Sequence, residues 1–137
     1  MEIKNKKFLM GTAELWAEAS YSKRNKVGAV ISKDGRIVAT GYNGTLPGED
    51  NCCENSDNTT KQTVAHAEQN AILFCAKYGL GTNECELYTT LSPCVECAKL
   101  IITSGIKKVH YLVEYRDIAG LRLLKNFNIE IIKYDNN

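Results

Sequence analysis

The sequence has no apolar run approaching the ~18–20 residues needed to cross a bilayer, so no membrane partner is expected. Nor is there an excess of one charge: 17 basic residues against 16 acidic ones leave a net charge of +1. A protein living on long nucleic acid carries a larger basic excess, which disfavours extended polyanions as partners. A small anionic ligand needs only one or two basic groups and stays open. The opening stretch, MEIKNKKFLM, has lysines but no secretory apolar core behind them. No internal repeat or low-complexity tract is visible. What remains is ordinary for a globular chain: 137 residues, 44% hydrophobic and 24% charged. These values exclude a disordered, collagen-like or purely coiled-coil chain and suit a single domain over residues 1–137. The composition reads as an enzyme or a small binding module.

The six cysteines are Cys52, Cys53, Cys75, Cys85, Cys94 and Cys97. Their spacing is uneven, and a chain this long can bury a core without disulfide staples. Metal binding or reduced thiols are therefore expected, in a reducing cytoplasm (a host's, if the source is viral).

The periodicity predicts a helix over 8–20 on Leu9, Ala13, Trp16, Ala17 and Ala19. Two β-branched runs, 27–32 and 36–42, flank Lys33-Asp34-Gly35, a strong hairpin signal. Beyond a long polar stretch at 47–62, a candidate lid or binding loop, come a helix at 64–78 and a strand at 86–90. A helix at 94–104, a strand at 108–113, a helix at 118–125 and a strand at 129–134 follow. The order is α-β-β-α-β-α-β-α-β. Helical crossovers favour parallel neighbours, so the expected fold is a three-layer α/β/α arrangement around a five-stranded mixed sheet, its last strands parallel. The two middle helices are apolar on more than one side, which points to self-association.

Two fragments carry chemistry: His66-Ala67-Glu68 and Pro93-Cys94-Val95-Glu96-Cys97. Each falls at an expected helix start, with Thr63 and Ser92 as caps and Pro93 at the first helical position. Cys94 and Cys97, three apart, project from one side of a turn, where the helix dipole favours thiolate. One imidazole and two thiolates suit Zn²⁺ and leave a fourth position for water, as in catalytic rather than structural zinc sites. Glu68, two residues from His66, is not expected to share the metal but can take a proton from that water. His-x-Glu with Pro-Cys-x-x-Cys matches the known signature of zinc nucleobase deaminases. Taken alone, Cys-x-x-Cys also fits a redox pair or half of a four-cysteine zinc site. His110 reads as a core or sheet-face residue, and Cys75 and Cys85 as buried packing. Cys52-Cys53 suits loop packing better than a second metal site or a ligand contact.

Over most of its length the chain resembles the deoxycytidylate (dCMP) deaminase family, within the cytidine deaminase-like fold. The resemblance is carried by residues 20–31 (SYSKRNKVGAVI), 41–44 (GYNG), 66–72 (HAEQNAI), 92–99 (SPCVECAK) and 114–117 (EYRD). It implies hydrolysis of dCMP to dUMP and ammonia, supplying dUMP for dTMP synthesis. His66, Cys94 and Cys97 would hold zinc, and Glu68 would shuttle protons. The backbone of Ala67 would meet the base O2, the Ser92 carbonyl the exocyclic nitrogen, and Asn43 the sugar. Arg24, Asn25 and Tyr115 would surround the 5′-phosphate. The resemblance further implies a homohexamer activated by dCTP with Mg²⁺ and inhibited by dTTP, with Gly41, Tyr42, Asn43 and Gly44 as allosteric candidates. For these, two glycines would let a nucleotide approach the backbone closely. Without the resemblance, Arg24 reads as a solvated charge and Asn43-Gly44 as a turn.

Some phage-type members add a structural zinc from further cysteines and histidines. Here the early position is Ser22, and His66 is the only histidine before Val109. Cys52 and Cys53 cannot complete a tetrahedral site alone, so one zinc per chain is expected. The alternatives are a tRNA adenosine deaminase, a nucleoside or free-base deaminase of the same fold, and a non-catalytic zinc module. The +1 balance disfavours the first, and an intact Glu68 the last.

Overall fold

The structure is a computed structural model describing residues 3–135. Met1 and Glu2 of the opening stretch, and the last two residues of the expected domain span, lie outside it. The elements run α1 (Ile3–Ala17), β1 (Gly28–Lys33), β2 (Arg36–Tyr42), α2 (Ala67–Tyr78), β3 (Glu86–Leu91), α3 (Val95–Thr103), β4 (Lys108–Val113), α4 (Ala119–Asn126) and β5 (Glu130–Lys133). Each expected helix and strand is present, in the expected order, with shifted ends.

Lys33 pairs with Arg36 across Asp34-Gly35, whose φ values of 51° and 77° make the tight hairpin turn. Positive φ at both central positions matches the twist of paired strands. The sheet order is β2-β1-β3-β4-β5, with β3, β4 and β5 parallel. The crossover through α2 does not make neighbours of the strands it joins. β1 lies between β2 and β3, antiparallel to both. Its side chains are buried along nearly its whole length, so it cannot serve as a sheet edge.

α1 covers one face, packing Leu9, Met10 and Ala13 on Val30 and Tyr88. The other three helices cover the opposite face, bringing Ala71, Ile72, Ala98, Ile101, Leu121 and Leu124 onto Ile31, Leu87 and Val109. Each Ile, Leu or Val side chain among them contributes roughly 1.5–3 kcal/mol when fully buried. The result is three layers.

α1 stops at Ala17 rather than residue 20. The N–H groups of Glu18, Ala19 and Ser20 turn back to the carbonyls three residues earlier, and the Ser20 hydroxyl donates to the Asn43 carbonyl at 2.8 Å. Of the expected inner face, Trp16 and Ala19 are exposed; Trp16 stacks on Tyr42 with centroids 6.1 Å apart. Residues 47–62 form a loop without helix or strand, closed at its base by a backbone bridge between Gly44 and Ala65.

Candidate active site

α2 and α3 start side by side, each later than the sequence suggests: α2 at Ala67 rather than 64, and α3 at Val95 rather than 94. Ala65 exchanges backbone hydrogen bonds with Gly44 at 2.8 and 3.1 Å, so the chain at 64–65 is extended and cannot join the helix. His66 becomes the N-cap of α2, and the Gln69 Oε1 accepts its N–H at 2.7 Å. Thr63 caps nothing here; its hydroxyl donates to Glu49 at 2.9 Å. At α3 the N-cap is Cys94, not Ser92. Ser92 precedes Pro93, which disfavours helical geometry there, and its hydroxyl accepts the Tyr115 N–H at 2.7 Å. Pro93 therefore lies outside the helix, where Gly120 of α4 packs against it. A Cβ on Gly120 would meet the Pro93 carbonyl oxygen at 2.0 Å. The turn that carries Cys94 is thus fixed from two sides.

These placements bring His66, Cys94 and Cys97 together. The His66 Nδ1 lies 3.2 Å from the Cys97 sulfur and 3.5 Å from that of Cys94. All three ligand atoms fall within 4.8 Å of one another. Tetrahedral zinc with these donors calls for N–S separations of about 3.6 Å, so the residues fit that ion. Among the described residues this is the one such cluster. Cys52 is exposed, and the Cys53 sulfur is buried against the Asn51 carbonyl.

The cluster favours a thiolate at Cys94. The Cys97 thiol hydrogen-bonds the Cys94 sulfur and pulls Cys94 down to about 4, with His66 adding to the effect. Cys97 is itself pushed far up, chiefly by that hydrogen bond with Cys94 and by burial, with the nearby charges of Glu68 and Cys94 adding to it. His66 is raised, chiefly by its hydrogen bond with Cys94. Glu68, in the first turn of α2 and 4% exposed, is pushed up to about 6 by burial, against the pull of His66.

Beside this cluster lies a cavity of about 210 Å³. Its walls include Arg24, Asn25, Asn43, Ala67, Ser92 and Tyr115, together with His66, Glu68 and Cys94; Cys97 sits behind them, buried. Arg24 makes no ion pair among the described residues. The Asn43 side chain is partly spent: its Oδ1 accepts the Val27 N–H at 2.9 Å and its Nδ2 donates to the Asn25 carbonyl at 2.8 Å. One amide hydrogen and one lone pair remain for a ligand.

The allosteric candidates fare differently. Gly41 and Gly44 do not line the cavity, and a Cβ on Gly41 would meet the Ala67 carbonyl at 2.4 Å. The missing side chain makes room for α2.

The chain matches the cytidine and deoxycytidylate deaminase zinc-binding region over residues 3–113. It is 41% identical to ComE operon protein 2 of Bacillus subtilis across 80% of this chain and 59% of that protein. With the deoxycytidylate deaminase of Enterobacteria phage T4 it shares 35% identity, over 77% of each chain. The chain belongs to this family of hydrolytic deaminases. Its fold matches the crystal structure of dCMP deaminase from the cyanophage S-TIM5, in complex with dCMP and dUMP. That match has a TM-score of 0.95 and 44% identity, covering 98% of this chain and 99% of that one. The chain thus spans under two thirds of the Bacillus relative and nearly all of the cyanophage one.

Val27, Thr60, Val64 and Leu91, also in the deaminase cavity wall, escaped the sequence reading. Val27 and Leu91 lie at strand ends and read only as apolar, while Thr60 is one polar residue among many in the loop. Arg116 joins Arg24 and Tyr115 along an adjoining groove. His110 is a core residue: its Nε2 meets Glu86 at 2.8 Å, and its ring stacks on Tyr88.

Proposed function

We propose that this chain is a zinc-dependent dCMP deaminase, converting dCMP and water to dUMP and ammonia. The observation that carries this reading is one arrangement. A buried glutamate stands beside a His/Cys/Cys cluster on one side of a cavity, and a free arginine stands on another wall of it. His66, Cys94 and Cys97 would hold zinc, which when bound would supply Lewis acidity and lower the pKa of a water so that it can act as a nucleophile at neutral pH. The rest of the work falls to the chain. Glu68 accepts one proton of the attacking water and delivers it to ring N3, then takes the second from the new C4 hydroxyl and passes it to the amine, so that ammonia leaves as the C4 carbonyl forms. The Ala67 backbone and the Ser92 carbonyl orient the base, and the spare hydrogen-bonding capacity of Asn43 meets the sugar. Arg24, with Asn25 and Tyr115, holds the 5′-phosphate by charge-assisted hydrogen bonds.

The same resemblance supports a cytoplasmic homohexamer activated by dCTP with Mg²⁺ and inhibited by dTTP. Leu73 and Phe74 on α2, 54% and 45% exposed, leave an apolar face for self-association. A dCMP saturation curve with and without each nucleotide, beside a solution mass measurement, tests this. A monomer indifferent to both would contradict it.

The substrate is tested by ammonia release from dCMP, cytidine, cytosine and a tRNA anticodon loop, assayed side by side. dCMP is expected to dominate, and the absence of dCMP turnover would overturn the proposal. Losing the Arg24 contact, worth roughly 1.5–3 kcal/mol, should reduce the preference for dCMP over deoxycytidine by about ten- to a hundredfold. An unchanged ratio in Arg24→Ala would place the phosphate elsewhere.

A further inference from the structure

The connection from α1 to β1, residues 18–27, carries Arg24 and Asn25 to the cavity but has no helix or strand of its own. Polar contacts hold it. The Ser20 hydroxyl accepts the Ser22 N–H at 3.1 Å, and Asn43 clasps the far end through Asn25 and Val27. The stretch around Lys23 is gripped from the other side, by the long loop.

That grip is Glu54. Its Oε2 accepts the Lys23 N–H at 2.9 Å and the Ser22 hydroxyl at 3.2 Å. Burial pushes this carboxyl up, but the Lys23 N–H, the Ser22 hydroxyl and the Arg24 N–H outweigh it and hold the group below the ordinary range. Successive backbone N–H groups facing one carboxylate form an anion-binding concavity. Glu54 is only 7% exposed, and its other oxygen, Oε1, is buried without a partner. A buried carboxylate is costly unless its bonds are needed. Glu54 is backbone-bridged to Thr60, which lines the cavity, while Glu54 itself does not.

We propose that Glu54 is the positioning residue for the phosphate end of the substrate: by holding the backbone at residues 22–24, it sets where the Arg24 guanidinium stands relative to Glu68. The proposal rests on the dCMP reading given above. It assigns Glu54 no contact with the substrate, so its effect must pass through Arg24. A substrate without the 5′-phosphate should not sense the loss.

The test compares wild-type protein, Glu54→Ala and Glu54→Gln on dCMP and on deoxycytidine, with zinc content measured for each. In Glu54→Ala, KM for dCMP should rise about tenfold or more, as a displaced charge-assisted contact predicts. Its kcat, its zinc content and its kcat/KM for deoxycytidine should stay within about twofold of wild type, because those groups do not touch Glu54. Gln keeps an oxygen acceptor for Lys23 and Ser22 and should restore most of the KM. In an Arg24→Ala background, Glu54→Ala should add no further rise. A parallel loss on both substrates, an unchanged KM for dCMP, or an additive effect with Arg24→Ala would each overturn the inference. If Glu54→Ala does not fold, Glu54→Asp, whose shorter carboxylate withdraws from the backbone, is read by the same criteria. Wild-type protein inactive on dCMP would defeat the underlying reading. An active wild type with an indifferent Glu54 would defeat this inference alone.

Discussion

His66 and His110 are the two histidines of the chain, and each lies near a glutamate. His66 stands at the start of α2 with two sulfurs within 3.5 Å of its Nδ1 and Glu68 beside it. His110 stands mid-strand in β4, fully buried, with Glu86 at 2.8 Å and Tyr88 stacked 4.1 Å away. The residue types are alike, but the surroundings set different chemistry. The first pair borders a cavity and has two sulfurs beside it that could hold a metal ion. The second has no sulfur beside it, and its imidazole lines no cavity among the described residues, so its hydrogen bond serves packing. A helix start leaves N–H groups and side chains pointing at open space, whereas the middle of a central strand is covered on both faces.

Removing each imidazole gives the largest contrast. His66→Ala should lose bound zinc and fall to background turnover, because two protein donors hold the ion poorly. His110→Phe should keep its zinc and most of its turnover, losing about 1–3 kcal/mol of stability because Glu86 is left without its partner. Metal analysis, ammonia release and denaturant midpoints on both variants check this. A His110 variant without zinc would erase the distinction.

The glutamates should separate by less. Glu68→Gln is expected to retain zinc yet lose about 10²–10⁴-fold in turnover, the usual contribution of a general acid–base group. Glu86→Gln should stay within about threefold of wild-type turnover, because it keeps an oxygen acceptor for His110 and does not line the cavity beside His66. Equal losses in the two variants would remove Glu68 from its assigned role.

The smallest effect is a pH dependence of stability. Burial pushes His110 below its ordinary value of 6.5, against the pull of Glu86 and with Lys6 and Lys108 opposing protonation. Below that value the unfolded chain binds a proton that the folded chain refuses. The stability linked to His110 is therefore intact above pH 6.5 and is lost as pH falls, by at most about 1.4 kcal/mol per unit. Urea midpoints across that range should fall more steeply for wild type than for His110→Gln. Parallel slopes would contradict the assignment of a neutral, buried imidazole.

The residues that make the site were legible because their chemistry is local. Cys94 and Cys97 need only one helical turn to meet, and Asp34-Gly35 needs only its own backbone freedom to close a hairpin. The misread features depend on distant partners. Ala65 leaves the helix because Gly44 pairs with it, and Ser92 is no cap because Tyr115 uses its hydroxyl. Gly41 lies against α2, a contact that shows only once the fold brings Ala67 against it. Glu54 lay in a polar stretch with nothing to mark it. Its partners at residues 22–24 become visible only when the loop folds back.

The central claim is that dCMP deamination depends on zinc held by His66, Cys94 and Cys97. It is tested most directly by titrating the purified protein with a chelator, measuring bound zinc and dUMP formation from dCMP in the same samples. Activity should fall in proportion to bound zinc, extrapolate to about one ion per chain at full activity, and return on adding zinc back. Turnover of dCMP that persists after the zinc is gone would contradict the account.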